Sequence, residues 1–558
     1  MGGYSKGQGS EGHAPSERDV SRRQFLIGAA GAGLALGVGD LLTNGGVASA
    51  ASLAKGLTKL PGGTPKRGGK LRVGIITSGS EENLFPGTAA ANPDMARCYS
   101  LYDYLFYLPS GKNLYPLVPG LALSAEPNSA ADVWTIKLRP GVTWHDGKPF
   151  TAKDVVYNFQ NLWGNAASNY SASFLVGLVD FKNVKALDSL TVHVPLVTPA
   201  AQFPSVLGFF NFGVLQEGAT AKSVATNPVG TGPFVYKSFT PGQQSVFTAN
   251  KNYWQSGKPY VDSLVIDTTF TSNTALLNAL LSGNLDCVVA PALDQARAQL
   301  SSKQVQVLES ECASQTYMFG MRVDKGPFVD NRVREAFKLL VNRQEIIDGA
   351  LAGFGVVGND LMGPHDQYFA GSLKREQDLE KAKYLFKKAG VHGQSFNWPT
   401  ANAFPGMVES LTIMAEQAQA AGVKINIQTG SPGTYFTPAD GAYTRYASQN
   451  VWQPSSSLMV NYRGAITVGA PYPDTHWGMQ KPGGGAANAL IKQAIAATKP
   501  STAEELWHEV QLEQFNEGGF VVWGDLNYID LAANNVRGLS AGGGLNFNMF
   551  RFQDGWLE

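Results

Sequence analysis

Across residues 133–139 apolar and polar side chains alternate, with Trp134, Ile136 and Leu138 on one face and Thr135, Lys137 and Arg139 on the other. A period of two predicts a half-buried strand. Asp146-Gly147 follows as a turn whose glycine tolerates positive φ. Thr151 then opens a helix in which Val155, Val156, Phe159 and Leu162 share a face. Strand patterns recur at 71–76, 245–249, 264–268 and 285–289, and a helix over 272–281 turns Leu276, Leu277, Leu280 and Leu281 inward before Gly283 stops it. Past residue 310 the pattern restarts. A strand is expected over 315–321, then a helix capped by Asp330 or Asn331, with Val333, Ala336, Phe337, Leu340 and Val341 in register. Helices over 378–389 and 407–421 end at Gly390 and Gly422, and Val423, Ile425 and Ile427 mark the next strand. Residues 429–486 read as loop-rich and aromatic-rich, and a helix near 504–515 and a strand over 520–523 close the chain. This mixture, without internal repeats, predicts an α/β fold with sheets of both senses.

The chain has 558 residues, too many for a single core, so two or three lobes are expected. Lys plus Arg and Asp plus Glu both number 44. A neutral chain has no field to attract a polyanion, which argues against nucleic-acid binding. Three cysteines, Cys98, Cys287 and Cys312, cannot build a disulfide framework, although one pair remains open beside the reading of buried small hydrophobes. Near the N-terminus, Ser21-Arg22-Arg23-Gln24-Phe25-Leu26 precedes a mildly apolar stretch rich in Gly and Ala, and Ala48-Ser49-Ala50 supplies a small-x-small cleavage site. That is the layout of a twin-arginine export signal over 1–50, leaving a mature chain outside the cytoplasm. Glycines and Asp40 interrupt the stretch, against a membrane anchor. No cysteine near the cleavage region offers a lipid attachment point. A Gly- and Lys-rich linker covers 51–69.

Motifs for chemistry fail one by one. The glycines around Gly31 and Gly33 lie in the leader with no strand ahead of them, so they are not a phosphate-cradling turn. Gly538-Leu539-Ser540-Ala541-Gly542 matches a nucleophile elbow, but glycines follow where a helix is needed, and no histidine lies beyond His508. The seven histidines never fall at metal-ligand spacing. His145-Asp146 reads as a solvated polar pair in a turn. Neither catalytic residues, nor a metal site, nor a cofactor is expected.

What remains is a family pattern. The run from Trp134 to Phe159, through Arg-Pro-Gly-Val-Thr-Trp-His-Asp-Gly-Lys-Pro-Phe-Thr, resembles the signature of peptide-type (family 5) solute-binding proteins of ABC importers. Asn227-Pro-Val-Gly-Thr-Gly-Pro-Phe234, Asn250-Lys-Asn-Tyr-Trp254, the stretches 276–286 and 329–348, and Pro471-Tyr-Pro-Asp474 fit in order, from about residue 70 to the end. The resemblance implies a two-lobed periplasmic-binding-protein (Venus-flytrap) fold of the large peptide-binding type, mixed α/β, with lobe I at 70–309 plus 520–558, a subdomain of about 99–226 inserted, and lobe II at 310–519. Crossing strands would hinge near Leu308 to Cys312 and Gly518 to Val521. It further implies a monomer in the periplasm or at the outer face of the membrane, where the export signal read above would bring it through the twin-arginine translocase. There it would capture a solute, a dipeptide or oligopeptide first, and pass it to permease and ATPase subunits. A non-peptide solute such as an oligosaccharide or a metal chelate, or a role as surface receptor, is the alternative. The matching ligand positions are Glu81, Glu82, Asn83, Trp452, Tyr462, Asp474, Trp523 and Asp525. One departure stands out: Pro471 occupies the place of an ammonium-pairing aspartate, so either Asp474, Asp525, Glu81 or Glu82 takes that task or the ligand has no free amine there.

Overall fold

The computed structural model describes residues 55–558 except 112, 433, 437–444, 453–456, 469, 471 and 479–484, with Ala313 and Ser314 described by backbone only. The expected export signal and Pro471 lie outside the described residues.

A nine-stranded mixed sheet organises the molecule. In spatial order its strands are Ala447–Trp452, Val305–Met321, Phe520–Ala533, Cys287–Val289, Lys70–Ile76, Ser263–Phe270, Gln244–Ala249 and Phe234–Thr240, with Gly355–Val357 joined to Phe520–Ala533. Lys70–Ile76 runs parallel to both its neighbours, and the remaining pairs are antiparallel. The sheet is buried on both faces, so side chains of its long strands alternate between two cores. Met318, Phe520 and Val522 enter one, while Tyr317, Phe319 and Val521 enter the other. Packing crosses the expected boundary at residue 310: Leu458, Trp507 and Val510 join the first core, and Leu276, Leu280 and Leu285 join the second.

The two long strands are much longer than their apolar runs suggested, and they lie side by side over their whole length. Leu308 faces Asp530, Gly320 faces Phe520, and the register slips between Glu309 and Gln315. The free edge of Phe520–Ala533 is shared, by Gly355–Val357 along residues 524–526 and by Cys287–Val289 along 530–532. Opposite 309–315 stand residues 526–529, whereas Phe520 and Val521 face Gly320 and Phe319 at the far end of the partner strand.

Within 99–226 a separate four-stranded antiparallel sheet forms, in the order Ala122–Pro127, Val133–Leu138, Thr191–Pro195 and Lys185–Asp188. Trp134, Ile136 and Leu138 are its buried face, as the alternation predicts. Helix Ala152–Tyr157 starts with a Thr151–Asp154 capping box and continues as a wider turn over Asn158–Trp163. Gly230 and Gly232 are needed for close approach: a Cβ on Gly230 would stand 1.7 Å from the Leu101 carbonyl oxygen. His145 is not merely solvated. Its Nδ1 accepts from Gly230 N–H (3.2 Å) and its Nε2 lies 2.9 Å from the Gly232 carbonyl, so the ring clamps this turn, and burial lowers its pKa. Further on, the expected loop region 429–486 contains strand Ala447–Trp452 and helix Leu458–Ala465. All three cysteines are buried, and no disulfide joins any two of them.

Candidate solute-binding site

The crossing strands and Ala447–Trp452 bring three polar or aromatic residues into one row. Thr316 faces Trp452 on one side and Asp525 on the other, and Asp525 faces Val356. Directly opposed residues of antiparallel strands project from the same face, so the four stand together. Thr316 Oγ1 donates to Asp525 Oδ1 at 2.5 Å. Trp452 Nε1 donates to Asp474 Oδ2 at 2.9 Å, which adds a second carboxylate beside the row. Both acids are buried, Asp525 at 4 % and Asp474 at 1 % exposure. Burial pushes the Asp525 carboxyl up to about 7, and the Thr316 hydroxyl only partly opposes this. Among the described residues no Lys or Arg pairs with Asp525.

Aromatic rings wall the Trp452 end. Tyr472 meets Trp452 edge-on at 5.7 Å, Phe174 meets Tyr472 at 6.4 Å, and Phe209 tilts against Phe174 at 5.4 Å. Gly464, in helix Leu458–Ala465, permits the approach, since a Cβ there would lie 3.0 Å from the Trp452 ring and 3.3 Å from Phe174. Flat apolar walls with a few fixed polar groups are the usual make-up of a small-molecule site.

The other expected residues lie elsewhere. Glu82 is enclosed by the scaffold: its carboxylate accepts from Arg97 (2.6 Å), Thr268 Oγ1, Gly242 N–H, Thr77 Oγ1 and Ser78 N–H. Asn83 closes the local turn by accepting from Phe85 N–H and Thr88 Oγ1, and its N–H donates to Asp94. Glu81 is exposed on the same turn. Tyr462 is buried in the first core against Trp507, with ring centroids 5.4 Å apart. Two positions along a helix turn it some 200° from Gly464, away from the Trp452 wall. Trp523 is also fully buried, in the second core. A bulge explains why. Tyr317 faces Gly524, but Met318 faces Val522, so Trp523 is an extra residue and the alternation slips by one. Trp523 therefore packs with Tyr317 and Phe319, on the face opposite Asp525.

Thr316, Tyr472, Phe174 and Phe209 complete the arrangement without having been singled out from the sequence. Thr316 was findable, as a polar residue on the Met318 face of the strand, and Tyr472 stands inside the Pro471 to Asp474 segment. Phe174 and Phe209 carry no local signal, because only the folding of the inserted subdomain brings them here.

The family description "Bacterial extracellular solute-binding proteins, family 5 Middle" matches residues 116–469. The chain belongs to this family. Among family relatives, the dipeptide-binding protein of Escherichia coli is 30 % identical over 382 residues, 63 % of this chain and 70 % of the relative. Two solved structures share the fold. The ABC transporter substrate-binding protein CtaP of Listeria monocytogenes superposes with TM-score 0.75 at 21 % identity, covering 88 % of this chain and all of that one. The periplasmic binding protein DppA of Helicobacter pylori, in complex with a peptide, superposes with TM-score 0.72 at 20 % identity, covering 88 % and 99 %. The architecture is accordingly the two-lobed solute-binding fold of the peptide-binding type, and the protein's role is that of a solute-binding protein of an ABC transporter. Among the described residues no helix is long and apolar enough to cross a membrane.

Proposed function

We propose that the protein captures a peptide in the cleft between its lobes, seats the peptide's ammonium against Asp525 with Asp474 nearby, and releases it to a permease. The observation that carries this reading is a buried carboxylate without a basic partner, set in the row Trp452–Thr316–Asp525 and flanked by aromatic rings. The names of the E. coli relative and of the H. pylori complex support it. The lobes would divide where the long strands lose register, at 309–315 and 526–529.

This assignment makes binding proton-linked, and the sign follows from the raised Asp525 pKa. Near pH 7 the free protein holds Asp525 partly protonated. A ligand ammonium favours the ionised form, so binding releases a proton and affinity rises as pH increases through 7. Titration calorimetry in buffers of different ionisation heat should show this release with whatever peptide co-purifies, identified by native mass spectrometry. Asp525→Asn should abolish the proton linkage and weaken binding by about 2–5 kcal/mol if the pair is fully desolvated. A co-purified ligand without an amine, or unchanged affinity in Asp525→Asn, would overturn the assignment.

Export through the twin-arginine pathway is the second part of the reading, carried by Arg22 and Arg23 ahead of the mildly apolar stretch. Replacing both by Lys should leave precursor in the cytoplasm, and N-terminal sequencing of the exported wild type should begin at Ala51. Undiminished export of the double variant counts against it.

A further inference from the structure

After the second crossing strand the chain enters a strained turn. Phe547, Asn548, Met549 and Phe550 are consecutive non-glycine residues with φ of +46°, +52°, +64° and +53°. Side-chain-bearing residues avoid this region, and a run of them persists only where surrounding contacts impose it. Asp530 supplies such contacts: its carboxylate accepts from Phe547 N–H at 2.6 Å and from Asn546 Nδ2 at 2.8 Å. The turn delivers Asn548 and Arg551 to the wall of a cavity of about 540 Å³ that the aromatic row does not share.

The polar groups at this cavity are incompletely matched. Lys258 is paired with Asp554 at 2.5 Å, whereas Lys59, Arg551 and Glu311 have no ion-pair partner among the described residues. The Arg551 guanidinium lies 4.9 Å over the Tyr107 ring, and its Nε is buried with no acceptor among the described residues. Asn548 is 5 % exposed; its Nδ2 reaches Ser540 Oγ at 3.4 Å, and its Oδ1 finds no donor among the described residues. Charged groups without an ion-pair partner at a cavity wall can be met by a ligand of opposite charge. No histidine lines the cavity.

We propose that this cavity is a second ligand site, for a small organic carboxylate that also bears a hydroxyl or amine donor. Arg551 and Lys59 take the carboxylate, the guanidinium through its paired N–H donors. The Glu311 carboxylate accepts from the donor group. The volume falls in the range of small-molecule sites, roughly 300–1,000 Å³, and exceeds what one inorganic ion needs. Glu311 lies five residues before Thr316, about 15 Å along an extended strand, so the site is separate from the solute cleft.

Citrate and tricarballylate, which differ only by the hydroxyl, are suitable probes for titration calorimetry on the purified protein. Citrate should bind saturably at one site, with tricarballylate several-fold weaker. Arg551→Gln and the exposed Lys59→Gln should each weaken citrate about tenfold. Asp474→Asn, beside the solute cleft, should leave citrate affinity unchanged. No saturable citrate binding, equal binding of phosphate, citrate affinity untouched by both cavity variants, or citrate affinity lost in Asp474→Asn would each overturn the proposal.

Discussion

Glu82→Ala should lose about 3–5 kcal/mol of folding stability, because it removes one partner of a fully buried ion pair and strands the other. Arg97 and Glu82 side chains are both at 0 % exposure and 2.6 Å apart. The Arg97 guanidinium also reaches Asp94 at 3.4 Å and Ser245 Oγ at 2.6 Å. Two carboxylates thus share one cation, and the closer one takes most of it. Asp94 is left with its pKa raised to about 7 by burial, against the lowering effect of the Asn83 N–H and Arg97. In the variant Asp94 would become the main counter-ion, which limits the loss but leaves Thr77, Ser78 and Gly242 without their Glu82 acceptor, while Thr268 Oγ1 keeps the Gln243 carbonyl. Urea denaturation followed by circular dichroism gives the value. The same variant, where still folded, should bind its solute with wild-type affinity. A stable variant with impaired binding would return Glu82 to the ligand site, where the family resemblance had placed it.

That contrast shows which features the sequence exposes. Strand 133–138, the Thr151 cap, the glycines at 230 and 232, and the helices near 331–340, 379–388 and 407–420 were all legible, because each depends on neighbours a few residues away. The family motifs mark these scaffold units, and with them the fold. Site residues depend on partners far along the chain. Trp452 and Asp525 meet through Thr316 by strand register, and Phe174 arrives from an inserted subdomain. Glu82 looked available because its partners Arg97, Gly242 and Thr268 are remote in sequence. Residues 520–523 looked like a short strand because Gly524, Asp525, Asn527 and Asp530 break the apolar run. Their polar groups are instead accommodated by Thr316, Glu309, Asn546 and the Phe547 N–H, and the strand continues to Ala533.

Trp523→Ala tests the bulge directly. Were the strand regular, Trp523 and Asp525 would share a face, and the indole would form a wall of the solute cleft. The register places one extra residue at this point and turns the indole into the second core, where Tyr317 lies 5.1 Å and Phe319 6.2 Å away, centroid to centroid. Truncation there should cost about 3–5 kcal/mol, since a large cavity opens in a core that can only partly relax. Trp523→Phe should cost much less, because the indole Nε1–H has no acceptor among the described residues and nothing polar is lost with it. Denaturation curves on both variants, with calorimetry of the co-purified ligand under conditions where each is folded, separate the outcomes. The bulged arrangement requires a large stability loss in Trp523→Ala with near-native affinity in the folded fraction. Loss of affinity at unchanged stability would mean that the indole faces the ligand and that the strand is regular through Gly524.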